Sequence, residues 1–125
     1  MAKPGNTGLR RVLRASVYSV QGLRHAWRFE AAFRQEFVVT LILVPVALWL
    51  GESPLERLLL IGSCVLVLVV ELLNSAVEAA IDRVGHEHHE LSGRAKDLGS
   101  AAVLLSLVLT TATWATIGWQ RFFAG

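Results

Sequence analysis

Five polar residues recur through an otherwise apolar stretch, Glu71-Leu-Leu-Asn74-Ser75-Ala-Val-Glu78-Ala-Ala-Ile-Asp82. They follow Glu71 by 3, 4, 7 and 11 residues, so at helical periodicity all five share about 100° of arc on one face. The helix descends from a loop near Arg57, which puts Glu71 about 21 Å along the axis and Glu78 about 10 Å further. Glu71 is then well inside a membrane and Glu78 near its far interface. A carboxylate at such depth costs roughly 2.5 kcal/mol or more. Its own span offers no cation within reach. Glu71 is therefore expected to be a perturbed group suited to taking up a proton. The plainer alternative is a hydrogen-bond partner between helices.

Glu30 opens a second cluster, with Arg34, Gln35 and Glu36 behind it. Glu30 and Arg34 have the i, i+4 spacing of an ordinary helical ion pair. Alternatively, Glu30 joins Glu78 at the same membrane depth. Two or three carboxylate oxygens there suit Mg²⁺, a hard cation that binds through one or two carboxylates plus phosphates. A third polar group lies in Gly85-His86-Glu87-His88-His89-Glu90-Leu-Ser-Gly93-Arg94-Ala-Lys96-Asp97. Adjacent histidines without a nearby cysteine match standard zinc spacing poorly, whereas Arg94 and Lys96 are suited to phosphate. No G-x-x-x-x-G-K-[ST], G-x-G-x-x-G, H-R-D or D-F-G signature is present.

The elements that must hold these residues are membrane helices. Of 125 residues, 54% are hydrophobic, and the mean hydropathy is +0.51. A soluble domain this short leaves too much surface exposed to bury that much apolar area. The chain is expected to be a single all-α membrane domain over residues 1–125. Spans are expected at about 31–50, 58–81 and 98–119, the last being 22 residues without a charge. Pro45 falls inside the first span, where membrane helices tolerate proline. Cys64, the single cysteine, sits in an apolar run and reads as a small buried side chain.

Seven Lys/Arg precede residue 35, against one in the Gly51–Arg57 connection. The positive-inside rule then places the N-terminus and the Asp82–Asp97 connection in the cytoplasm. Trp49, Trp114 and Trp119 suit an aromatic belt on the outer side. Over about 8–28, Leu9, Val12, Leu13, Val17, Val20, Leu23 and Trp27 recur at helical spacing with Arg10, Arg11, Arg14 and Arg28 beside or opposite them. This pattern predicts an amphipathic helix lying on an anionic leaflet. No short apolar core occurs in the first 36 residues, so the mature chain is expected to start at or next to Met1. A net charge of only +2 gives no reason to expect a nucleic-acid partner.

From residues alone, a proton-coupled transporter using Glu71 and an enzyme are equally open. A purely structural membrane subunit is a third reading. Three segments break the tie: Glu30-Ala-Ala-Phe-Arg-Gln-Glu36, Glu71 through Asp82, and Glu90-Leu-Ser-Gly-Arg-Ala-Lys-Asp-Leu-Gly-Ser-Ala-Ala102. In these, from about Arg11 to Trp119, the sequence closely resembles the prokaryotic diacylglycerol kinase family. The resemblance implies a homotrimer of three-span subunits in the bacterial inner membrane, with sites formed between subunits. It implies transfer of the γ-phosphoryl of MgATP to diacylglycerol, with undecaprenol as an alternative acceptor. Glu71 would be the general base, and Glu30 and Glu78 would hold Mg²⁺. Arg11, Tyr18, Glu30, Asn74, Glu78, Glu87, His88, His89, Lys96 and Asp97 would meet ATP. Arg11, Ser19, Arg34, Gln35, Glu36, Glu71 and Ser100 would border the lipid. The loop His86-Glu87-His88-His89 is richer in histidine than the family pattern, and histidine titrates near pH 6.5.

Overall fold

A computed structural model describes residues 7–85 and 89–124. Among the described residues the chain is all-helical: α1 (Gly8–Phe29), α2 (Ala31–Leu50), α3 (Pro54–Val84) and α4 (Glu90–Trp119), closed by a π-helical turn, Gln120–Ala124. Among the described residues, three helices are long and apolar enough to cross a membrane: α2, α3, and α4 with its terminal turn. The chain is a membrane protein, and its leucines and isoleucines such as Leu41, Ile42, Leu104 and Leu105 point outward, where lipid accepts them.

α3 and α4 are longer than the apolar runs that announced them. α3 has 31 residues, which gives about 46 Å of helix, more than the roughly 30 Å of hydrocarbon it must cross. Its charged ends, Glu56–Arg57 and Asp82–Arg83, remain helical beyond the apolar length. The connections are correspondingly shorter than expected, at residues 51–53 and 85–89. Hydropathy marks the buried length of a membrane helix, not where its hydrogen bonds stop. Helix α2 continues through Pro45.

The short turn between α2 and α3 is held by several hydrogen bonds. Ser53 caps α3, its Oγ accepting from the Glu56 amide at 3.1 Å, and Pro54 takes the first helical position, where its missing N–H costs nothing. The Glu52 amide donates back to Glu56 Oε1 at 2.9 Å. Arg57 Nε donates to the carbonyls of Leu48 and Gly51 at 3.2 and 3.1 Å, satisfying the end of α2. Gly51 permits this approach: a Cβ there would stand 2.6 Å from Arg57 Cγ.

So short a turn makes α2 and α3 antiparallel neighbours, and α4 returns antiparallel along α3. The pairings run Trp114 with Leu60, Thr110 with Ser63, Asn74 with Gly99 and Asp82 with Lys96. Ala47, Leu50, Leu60 and Ile117 form the buried core, with Ile61 and Trp114 against it. Trp114, expected in an outer belt, packs against α3. It is half-buried, and its Nε1 donates to the Leu60 carbonyl at 3.2 Å. Thr110 Oγ1 donates to the Ser63 carbonyl at 3.0 Å. Hydrogen bonds and close approach, rather than a hydrophobic drive, hold such helices together in lipid. Trp49 and Trp119 do stay exposed. Arg121 pairs with Glu52 at 3.4 Å and lies over the Trp49 ring, which also meets Phe122.

Leu60 is completely buried. Leu60→Ala is expected to lower unfolding free energy by about 3 kcal/mol, read as an earlier loss of helicity when a denaturing detergent is titrated into micelles.

Candidate functional site

The polar face of α3 is graded by depth. Glu71 is buried at 8% exposure, Asn74, Ser75 and Glu78 are half-buried, and Asp82 is exposed. The carboxylates of Glu36, Glu78 and Glu30 lie within electrostatic reach of Glu71. None of these four carboxylates has an ion-pair partner among the described residues, where the pairs are Arg94–Glu90, Lys96–Asp82 and Arg121–Glu52.

Glu30 is brought to this face by a break in the helix. Its φ of −112° and ψ of 100° separate α1 from α2, and its Oε1 accepts from Ser75 Oγ at 2.9 Å. The expected Glu30–Arg34 ion pair is not among the pairs of the described residues; the Glu30 carboxylate instead meets Ser75, one turn of α3 before Glu78. Arg34 turns away from Glu30. Its Nη1 donates to the carbonyls of Trp27 and Arg28 at 2.9 and 3.1 Å, placing positive charge where a helix end is negative. Arg34 thus fixes the corner at which Glu30 sits.

Asn74 Oδ1 is buried with no hydrogen-bond partner among the described residues. Burying an unpaired acceptor costs on the order of 1–3 kcal/mol, so such an atom is suited to a donor from outside the chain. The Asn74 carboxamide rests directly against Gly99 of α4. A Cβ on Gly99 would collide with its oxygen and stand 3.2 Å from Cγ. Sequence reasoning missed this pair because nothing local to either residue records it.

A cleft of about 520 Å³ opens between α1 and α3 beside Glu30. Ser19, Gly22, Leu23, His25 and Ala26 line one wall, and Leu72, Ser75, Ala76 and Ala79 the other. Gly22, His25 and Ala26 were not singled out from sequence. Their signal is the run of small residues Ser19, Gly22 and Ala26 at helical spacing on α1.

The other expected site residues are spread more widely. Arg11, Tyr18, Ser19, Gln35 and Ser100 are exposed, and Arg11 and Ser19 share a shallow groove on α1. Lys96 pairs with Asp82 at 3.2 Å, and Asp97 is exposed beside it. An exposed pair of this kind contributes only about 0–1 kcal/mol, so it opens readily. Arg94 pairs with Glu90 at 3.3 Å. His89 caps α4, its Nδ1 accepting from the Leu91 amide at 3.0 Å. Glu87 and His88, and His86 with them, lie outside the described residues.

No three carboxylate, imidazole or thiol groups converge among the described residues into a complete metal cage. Mg²⁺ does not need one, since two carboxylates and phosphate oxygens suffice. The unpaired carboxylates around Glu71 are a donor set of the required hardness.

The prokaryotic diacylglycerol kinase family model matches residues 17–118. The chain belongs to that family. It is 53% identical over 116 residues to the diacylglycerol kinase of Escherichia coli strain K12, spanning 93% of this chain and 95% of the relative. It is 54% identical over 113 residues to that of Pseudomonas aeruginosa, spanning 90% and 92%. It is 43% identical over 111 residues to that of Helicobacter pylori strain 26695, spanning 89% and 87%. The matched region contains Glu30, the whole polar face of α3, and the Lys96–Ser100 segment.

Gly99→Ala is expected to push the Asn74 carboxamide out of place. Phosphoryl transfer to diacylglycerol, the activity for which the relatives are named, should fall on the order of 100-fold. In an Asn74→Ala background the same change should cost little more, because the colliding group is gone. Equal losses in both backgrounds would place the effect of Gly99 elsewhere.

Proposed function

We propose that this chain transfers the γ-phosphoryl group of ATP to the hydroxyl of diacylglycerol, giving phosphatidic acid at the cytoplasmic face of the bacterial inner membrane. The observation that carries this is the placement of Glu71: a buried carboxylate on a membrane-spanning helix, ringed by three more, in a chain of this family. Glu71 accepts the proton of the lipid hydroxyl. The hydroxyl oxygen bonds to the γ-phosphorus as the bond from that phosphorus to the β–γ bridging oxygen breaks, and ADP leaves. Such a reaction needs alignment and charge neutralisation more than covalent participation by the protein. A base at the membrane edge meets ATP from water and lipid from the bilayer.

Glu30 and Glu78 would hold Mg²⁺. When bound, the cation offsets the charge of the phosphates. Ser75 orients Glu30 through its hydrogen bond. Asn74 presents its unpartnered oxygen to a donor. Lys96, released from Asp82, and Asp97 meet the nucleotide with Arg11 and Tyr18, and the Glu87-His88-His89 segment borders them. Ser19, Gln35, Glu36 and Ser100 border the lipid, and Arg34 keeps the α1–α2 corner in shape. The half-buried Glu78 and exposed Asp82 on α3 favour a homotrimer in which a neighbouring subunit covers the acidic face. The basic flank of α1 and its exposed Leu9, Val12, Leu13 and Val17 favour a helix lying on the cytoplasmic leaflet.

The deciding assay uses purified protein in mixed micelles, with labelled ATP and with a short-chain diacylglycerol and a polyprenol side by side. Label should enter phosphatidic acid only with Mg²⁺, and Glu71→Gln should lower the rate on the order of 100-fold or more. Label in polyprenol phosphate would keep the chemistry and change the acceptor. Folded protein that phosphorylates neither lipid would overturn the kinase reading and favour proton-coupled transport through Glu71.

A further inference from the structure

The main chain at Glu30 is held on both sides. Its amide donates to the Ala26 carbonyl at 2.9 Å, and its carbonyl accepts from the Arg34 amide at 3.1 Å. The carboxylate is held by one contact. Its Oε1 accepts from Ser75 Oγ at 2.9 Å, and its Oε2 has no hydrogen-bond or ion-pair partner among the described residues. The donor is distinguished by its choice of partner. Hydroxyls inside a helix can bond back to the carbonyl one turn earlier, and Ser16, Ser19, Thr40, Thr111 and Thr113 all do so here. Ser75 forgoes the equivalent carbonyl, that of Glu71, and reaches a carboxylate 45 residues away in the chain. Both Ser75 and Glu30 are half-buried.

We propose that Ser75 determines which divalent cation the site accepts, favouring Mg²⁺ over Ca²⁺. The proposal rests on the reading of Glu30 as a cation ligand. With Oε1 engaged by a hydroxyl, Glu30 presents one free oxygen rather than a chelating pair. Mg²⁺ is small, demands near-octahedral geometry, keeps several waters and takes one or two carboxylates plus phosphates. Ca²⁺ is larger, gathers about 6–8 oxygens and readily takes both oxygens of one carboxylate. A donor that pins one oxygen of Glu30 therefore costs Ca²⁺ a contact that Mg²⁺ does not use. Ser75 acts through Glu30 and is a positioning residue. Groups that hydrogen-bond to a metal ligand typically change metal affinity by about 10–100-fold when removed.

Cation selectivity is read by binding, without turnover. The full chain in micelles is dialysed to equilibrium against Mn²⁺ and a non-hydrolysable ATP analogue. The excess Mn²⁺ on the side of the chain is then displaced by Mg²⁺ or by Ca²⁺. The analogue chelates these cations equally in both compartments, so its contribution cancels between variants. Glu30→Gln marks the part of the excess that depends on Glu30. For that part, Ser75→Ala is expected to shift the ratio of Ca²⁺ to Mg²⁺ affinity toward Ca²⁺ on the order of tenfold. Ser75→Thr, which keeps the hydroxyl, should retain the original ratio. Ser75→Cys, close in size but a weak donor, should behave as Ser75→Ala and gives the same reading if the alanine variant fails to fold. An unchanged ratio in the alanine and cysteine variants, with Mn²⁺ still lost in Glu30→Gln, overturns the role of Ser75 alone. So does a threonine variant that loses selectivity along with them. Full Mn²⁺ retention in Glu30→Gln overturns the assignment of Glu30, and the role of Ser75 with it.

Discussion

A carboxylate cannot rest in hydrocarbon unattended, and the arrangement of this chain follows from that constraint. Glu71 is buried on α3. Of the remaining polar groups of the face, Ser75 is bonded across to Glu30, Asn74 keeps a buried oxygen without a partner among the described residues, and Glu78 and Asp82 are progressively more exposed. The break at Glu30 brings its carboxylate to Ser75 of α3, and the antiparallel return of α4 brings Lys96 to Asp82. In this setting the same carboxylates that burden the fold are available to neutralise a divalent cation and to accept a proton.

Close approach is the second theme. Lipid-solvated helices gain little from burying leucine against leucine, so contact depends on small side chains and hydrogen bonds between helices. Ala47 and Gly51 admit their neighbours near one end, Gly99 admits Asn74 near the other, and Thr110 and Trp114 bond to α3 carbonyls between them. Gly99 is not needed for an unusual backbone angle. It is needed because another side chain occupies the space its Cβ would take.

Much of this was legible in the sequence, for identifiable reasons. A charge-free run long enough to cross a bilayer marks α4, shorter apolar runs mark α2 and α3, and the spacing of Glu71, Asn74, Ser75 and Glu78 marks one helix face, because these signals are local. What escaped is tertiary. Arg34 has ideal spacing to pair with Glu30, yet it caps α1, since the break at Glu30 brings the carbonyls of Trp27 and Arg28 within its reach. Trp114 fits an interfacial belt by position, yet its indole finds an acceptor on α3. His89 belongs to a histidine-rich segment that invites metal chemistry, yet it serves as a helix cap. In each case the side chain satisfied a backbone group whose location depends on the fold.

The tight turn at residues 51–53 has a mechanical consequence. With Arg57 bonded across it, Arg121 reaching back to Glu52, and the core of Ala47, Leu50, Leu60 and Ile117 beside it, that end of the molecule is riveted. At the opposite end, the side-chain bonds between helices among the described residues are Ser75–Glu30 and the solvent-facing Lys96–Asp82 pair. Among the described residues, side-chain bonding between the helices is therefore densest around the α2–α3 turn and sparser at the end that carries Glu30 and Asp82.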